Sequence, residues 1–328
     1  MRMREKRILK PGHPVVIFIA SASRSGSTLL DLMLGSHPQG ISTGELRRIQ
    51  GFALEDKQLC GVQDEDYPLT CSCGAPVIRC VFWKKVEEEF GGSLRETRFR
   101  TKAGRAWRVW VMALYLALGG SILRRIAHVW PGLMREIGIG GNCLRLHEAI
   151  SRVSGACFVV DSSKSIYHYM LLHLANPETL RLVLLVRDGR AVAHSMVRGH
   201  RAEQWKPGPK PPFLQAAKQW ALTTRGILVL SSRTPTSNRV LIRYEDLCRD
   251  PARILQEVTN RWGLLPWERV FQETKKERHI IGGSPSIRFE GSVRSIELDE
   301  SWKEALSPGD LEAFEKIAGK VNRKLGYI

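Results

Sequence analysis

The sequence predicts an α/β chain built on a parallel sheet with helices on both faces. Three observations carry this. Short apolar runs recur at residues 15–20, 40–43, 157–161, 182–186 and 239–242. A polar turn and a helical pattern follow each one, and strands that alternate with helices pair in parallel because the helix must cross back over the sheet. The turns at 23–27, 161–164 and 187–190 are rich in hydroxyl and charged residues. Parallel sheets bind ligands at the carboxyl ends of their strands, so these turns converge on one candidate site.

Taken in order, the first run, Val15 to Ala20, leads into Ser21-Ala22-Ser23-Arg24-Ser25-Gly26-Ser27-Thr28 and then a helical pattern from Leu29. A small-residue loop between a strand and a helix gathers backbone N–H groups and the positive end of the helix dipole at one spot, which suits a phosphate or sulfonate. Arg24 adds a cation; Ser27 and Thr28 add hydroxyls. The loop is not a Walker A sequence, because Ser27 stands where that motif has lysine and Ser21 where it has its first glycine. A conventional NTPase or kinase would lack its main γ-phosphate contact here.

The second run precedes Gly44-Glu45. The third ends in Asp161-Ser162-Ser163-Lys164, a weak likeness to a Walker B strand. The fourth, a buried parallel strand by composition, runs into Arg187-Asp188-Gly189-Arg190 and reaches Ser195 two helical turns on. The fifth leads into Tyr244-Glu245-Asp246-Leu247 and Asp250-Pro251. Residues 84–140 break the rhythm and read as a helical insertion in a single domain spanning 1–328. Within it, residues 109–123 are fifteen uncharged positions flanked by Arg108 and Arg124. That is short of the roughly 20 a membrane span needs. The segment reads as a buried helix of the insertion or as a lid facing a membrane or lipid acceptor. Residues 206–212 are too proline-rich for helix or strand.

Three of these segments resemble the sulfotransferases that use 3′-phosphoadenosine 5′-phosphosulfate (PAPS). Ser23 to Leu30 is similar to the family's 5′-phosphosulfate loop, in the manner of bacterial members and of tyrosylprotein sulfotransferases. Arg187 and Ser195 match its 3′-phosphate pair, and the Tyr244 segment matches a scaffold element. The resemblance spans roughly residues 15–250. It implies a P-loop-like three-layer fold and transfer of a sulfonate to an acceptor hydroxyl, with Ser23, Arg24, Ser25, Gly26, Ser27, Thr28, Arg187 and Ser195 on the donor. The late loop at 282–289 is similar to family loops that close over the nucleotide, which places Arg288 and Phe289 there. Trp302 reads as core. No catalytic metal is expected. The acceptor stays open among sugar, lipid, polyketide, phenol and protein tyrosine.

Sulfuryl transfer needs a base and cations where negative charge develops. Glu45 is the candidate base, since His37-Pro38 and Gly44-Glu45 are similar to the pattern around the tyrosylprotein sulfotransferase glutamate. Burial would raise its pKa towards neutrality. His37 reads as structural, and His194 lies beside the 3′-phosphate helix. Lys164 would face the bridging oxygen or the sulfonate, with a salt bridge to Asp161 as its ordinary alternative. The rival readings are a nucleotide kinase and a non-catalytic nucleotide-binding module.

A net charge of +17, from 50 basic and 33 acidic residues, raises nucleic-acid binding. The basic residues are spread along the chain without a recognition motif, so nucleic acid is not expected as partner, while peripheral contact with an anionic membrane fits. No apolar signal region follows the basic residues 1–10, and a cytoplasmic location is expected. Cys60, Cys71, Cys73 and Cys80 cluster within 21 residues. Their C-x10-C-x-C-x6-C spacing leaves a zinc site, a disulfide and reduced thiols open.

Overall fold

The computed structural model of the chain describes residues 11–61, 67–199, 212–266, 278–290 and 296–328. The basic stretch 1–10 and the expected loop at 206–212, apart from Pro212, lie outside them. All five expected strands form: β1 (Val15–Ser21), β2 (Gly40–Ser42), β3 (Phe158–Lys164), β4 (Leu180–Val186) and β5 (Arg239–Arg243). They pair in parallel in the order β2-β3-β1-β4-β5. Central β1 sets the register: Phe18 lies opposite Asp161 on one side and Leu182 on the other. All seven β1 residues are buried.

Alternation along β1 divides the core. Val16, Phe18 and Ala20 join one apolar cluster, with the helices Pro131–Ser154 and Ile166–Ala175; Val15, Ile17 and Ile19 join another, with Ser27–Gly35 and Pro251–Trp262. This is the period-two pattern of a strand covered on both faces. One expectation is corrected. Residues 161–164, read as a turn, continue β3 to Lys164, because the Ser162 amide donates to the Gly44 carbonyl at 3.0 Å and extends the ladder past β2.

Between β2 and β3 the chain forms helices Val81–Phe90, Arg105–Leu118, Gly120–Ala127 and Pro131–Ser154. The apolar run 109–123 is therefore not one buried helix. It breaks at Gly119 with a bend of 119°. Val111, Tyr115 and Leu123 are buried, while Val109, Trp110, Leu118 and Ile122 are exposed. Among the described residues no single helix is long and apolar enough to cross a membrane.

Candidate active site

The loop after β1 turns inward through two left-handed residues, Arg24 (φ 64°) and Gly26 (φ 84°). Such alternation gathers successive amides into an anion-binding concavity at the start of helix Ser27–Gly35. Gly26 is required twice over: a Cβ there would also lie 2.3 Å from the Tyr244 ring. Ser25, Ser27 and Thr28 are buried, Ser23 and Arg24 exposed. The Ser21 and Ser25 hydroxyls are buried with no hydrogen-bond partner among the described residues. Buried hydroxyls of this kind are costly unless something pairs with them.

Glu45 follows β2 and is 2% exposed; its amide donates to the Ile281 carbonyl at 2.9 Å. One carboxylate oxygen accepts from the Lys164 ammonium. The other lies 2.7 Å from Arg48 Nε, an ion pair whose angle falls outside hydrogen-bond geometry. Burial pushes this carboxyl up, as expected, but the charges of Lys164, Arg48 and Arg47 outweigh it and hold the pKa down at about 2. The direction is opposite to the one read from the sequence. The reason is the ring of cations, of which Lys164 comes from another strand.

Lys164 itself sits in the left-handed region (φ 63°). That conformation costs a lysine of order 1–3 kcal/mol and persists where its surroundings enforce it, often at functional sites. Its alternative partner, Asp161, is engaged elsewhere: it accepts from the Ser163 amide at 2.9 Å, and His147 Nε2 lies 3.1 Å away. Arg47 donates through Nε to the Ser163 carbonyl at 3.0 Å, tying the Glu45 segment to β3. Ser21, Ser23, Glu45, Arg48 and Lys164 line one cavity of about 170 Å³ with Gln219 and Thr223. The structure thus brings together the loop, the candidate base and the candidate cation.

On the other side, Arg187 directly follows β4 and is 6% exposed. It donates to the Arg24 carbonyl at 3.1 Å and the Asp299 carbonyl at 2.9 Å, and its guanidinium lies over the Tyr244 ring at 4.5 Å. The Asp299 carboxylate is 3.4 Å from Arg187 and 3.2 Å from Arg198. Ser195 is half-buried on helix Gly189–Gly199, one turn before Arg198 and so on the same face. Arg47, Arg48, Arg198 and Asp299 carried no motif. Tyr244, read as scaffold, touches both the loop glycine and Arg187.

The late loop packs on the start of helix Ser27–Gly35. The Ser284 amide donates to Thr28 Oγ1 at 3.2 Å. Arg288 is 1% exposed and points inward, donating to the carbonyls of Pro68 at 3.0 Å and Gly282 at 3.4 Å, so it braces the loop from within. Phe289 is exposed and Trp302, expected in the core, is only half-buried beneath the Arg190 guanidinium. His37 is fully buried and shapes the turn before β2, accepting from the Gln39 amide at 3.1 Å. His194 is half-buried on the Ser195 helix. The four-cysteine grouping is also corrected: Cys71, Cys73 and Cys80 come together with His279, whereas the Cys60 thiol points to the Arg48 carbonyl.

The comparisons agree with this architecture. The sequence model described as "Sulfotransferase family" matches residues 14–269. The sulfotransferase domain from the Synechococcus PCC 7002 olefin synthase is 19% identical, with a TM-score of 0.52 over 97% of this chain and 98% of that one. The sulfotransferase domain from the curacin biosynthetic pathway is 20% identical, with a TM-score of 0.52 over 96% and 98%. At that identity they show a shared fold. No curated protein sequence matches significantly. With the family match running from the residue before β1 to beyond β5, the chain belongs to the sulfotransferase family.

Proposed function

We propose that the protein transfers the sulfonate of PAPS to an acceptor hydroxyl and releases 3′-phosphoadenosine 5′-phosphate. The observation that carries this is one cavity lined by Ser21 and Ser23 of the β1 loop together with Glu45 and Lys164. The amides of the loop, Arg24 and the hydroxyls of Ser23, Ser25, Ser27 and Thr28 hold the 5′-phosphosulfate. Arg187 and Ser195 hold the 3′-phosphate, with Arg187 giving up the Asp299 carboxylate for it.

Glu45 accepts the proton of the acceptor hydroxyl as its oxygen attacks sulfur in line with the leaving phosphate. A carboxylate held at about 2 is ionised but a weak base. Lys164 supplies the adjustment. A sulfonate in the cavity competes for the ammonium; as Lys164 turns to the bridging oxygen, Glu45 loses its strongest charge partner and burial raises its pKa. One lysine thus restrains the base until donor is present and then neutralises the leaving phosphate.

The test is transfer of labelled sulfonate from PAPS to a panel of phenols, sugars and long-chain alcohols. Transfer to at least one class, lost in Glu45→Gln while 3′-phosphoadenosine 5′-phosphate still binds, supports the reading. Undiminished transfer by Glu45→Gln refutes the role of Glu45.

A further inference from the structure

We propose that Cys71, Cys73, Cys80 and His279 bind one zinc(II) ion, which fastens the strap 278–284 beside the β1 loop. The four ligand atoms, three Sγ and one Nδ1, lie within 4.8 Å of one another. Cys73 to Cys80 is 3.7 Å, Cys80 to Cys71 3.9 Å, Cys71 to His279 Nδ1 3.7 Å and Cys80 to His279 Nδ1 3.3 Å. Zinc–sulfur bonds of about 2.3 Å on tetrahedral axes put sulfurs about 3.8 Å apart, and the shorter zinc–nitrogen bond brings nitrogen slightly nearer. These four edges lie within about 0.5 Å of that figure, and the remaining two within 4.8 Å. None of these cysteines is in a disulfide. Three sulfurs and one imidazole in a tetrahedron select zinc among the common divalent ions.

The surroundings are built for a metal. Residues 70–76 form a tight hairpin: the Cys71 amide donates to the Ala75 carbonyl and the Gly74 amide to the Cys71 carbonyl, each at 2.8 Å. Gly74 takes φ 87° there, a conformation glycine adopts without strain. This turn presents Cys71 and Cys73 together. Cys80 is the N-cap of helix Val81–Phe90, so the start of that helix carries the third thiol. The His279 ring stacks on Phe82 at 4.7 Å and 3°, which fixes its orientation. With four protein ligands the site is closed, so its role is structural.

What it would hold is specific. Ser72 is hydrogen-bonded to the strap three times, through its amide to the Ile280 carbonyl at 3.0 Å and through its hydroxyl to the Arg278 carbonyl and the Ile280 amide at 2.6 and 2.9 Å. Ile281 then pairs with Thr43 and Glu45, and Ser284 reaches Thr28. The ion would therefore lock the cysteine hairpin to a strap that supports the candidate base on one side and the anion loop on the other.

The experiment is metal analysis and zinc-edge X-ray absorption on the full-length protein purified under reductant. The expected result is one zinc per chain with three sulfurs and one nitrogen. Cys73→Ser, which alters an exposed position, should abolish stoichiometric zinc, whereas Cys157→Ser should retain it. Chelation should speed hydrogen exchange at the Ile281 and Glu45 amides but not in β4. A chain that takes up no zinc even when supplied with it, a disulfide among these cysteines, a four-sulfur shell, or equal loss in both variants would each overturn the proposal.

Discussion

On the β1-loop side of the site, Ser21 and Ser25 carry buried hydroxyls with no partner among the described residues. On the β4 side, Arg187 is bonded to the Arg24 and Asp299 carbonyls and faces the Asp299 carboxylate, which Arg198 also approaches. Under the proposed reading the two sides prepare for an anion in opposite ways. The loop stores its capacity as unsatisfied donors, a cost in the ligand-free fold that an incoming anion removes. The arginine side is satisfied by the chain itself, so an arriving phosphate exchanges one carboxylate for another anion. Under the proposed reading, chemistry depends on the first side, while affinity on the second is a difference between two ion pairs.

The largest expected effect is on the chemical side. Glu45→Gln should lower turnover roughly 100- to 10,000-fold, the range of general-base catalysis, with nucleotide binding retained in titrations. Next is Arg187→Ala, which should weaken donor binding by roughly 1.5–3 kcal/mol, the value of a hydrogen bond to a charged group, with a smaller change in turnover. An unchanged dissociation constant would erase the distinction between the two sides.

A pH series sharpens it further. Under the proposed reading Glu45 is active when ionised, so activity is lost as pH falls through its pKa. In the donor-free protein that pKa is held at about 2, so kcat/KM for the donor should show no acid limb from Glu45 near neutrality. The limb in kcat should lie higher, because bound donor draws Lys164 away. In Lys164→Ala both limbs should rise and coincide, since burial remains and the strongest opposing charge is gone. The smallest expected effect is Asp299→Asn. It removes a partly exposed carboxylate, 31% accessible, and should tighten donor binding by about two- to fivefold, in line with the modest worth of such pairs. Weaker binding in calorimetry would mean that Asp299 orients Arg187 rather than competing for it.

The same contrast explains what was legible in the sequence. The β1 loop is contiguous: strand, small residues and helix follow one another, so local pattern alone located Ser21 to Thr28. All five strands were legible because each is an apolar run bounded by a polar turn. The ionisation of Glu45 was not, because Lys164 enters its pocket from β3, 119 residues away. His279 was equally hidden, lying 199 residues from Cys80 with no spacing rule to connect them. Asp299 reads as one acid among 33 until the fold sets it against Arg187. The packing of Arg288 was not legible locally, because its charge is turned inward under the Gly282 turn.

The central claim, a groove that grips a nucleotide at both its 5′ and 3′ phosphates, is tested most directly by calorimetric titration. The protein would be titrated with 3′-phosphoadenosine 5′-phosphate, with the same nucleotide lacking its 3′-phosphate, and with magnesium ATP. Tight binding of the first and at least tenfold weaker binding of the other two are expected. Equal affinity for the first two would contradict the role of Arg187, and binding of magnesium ATP alone would contradict the sulfonate-donor reading altogether.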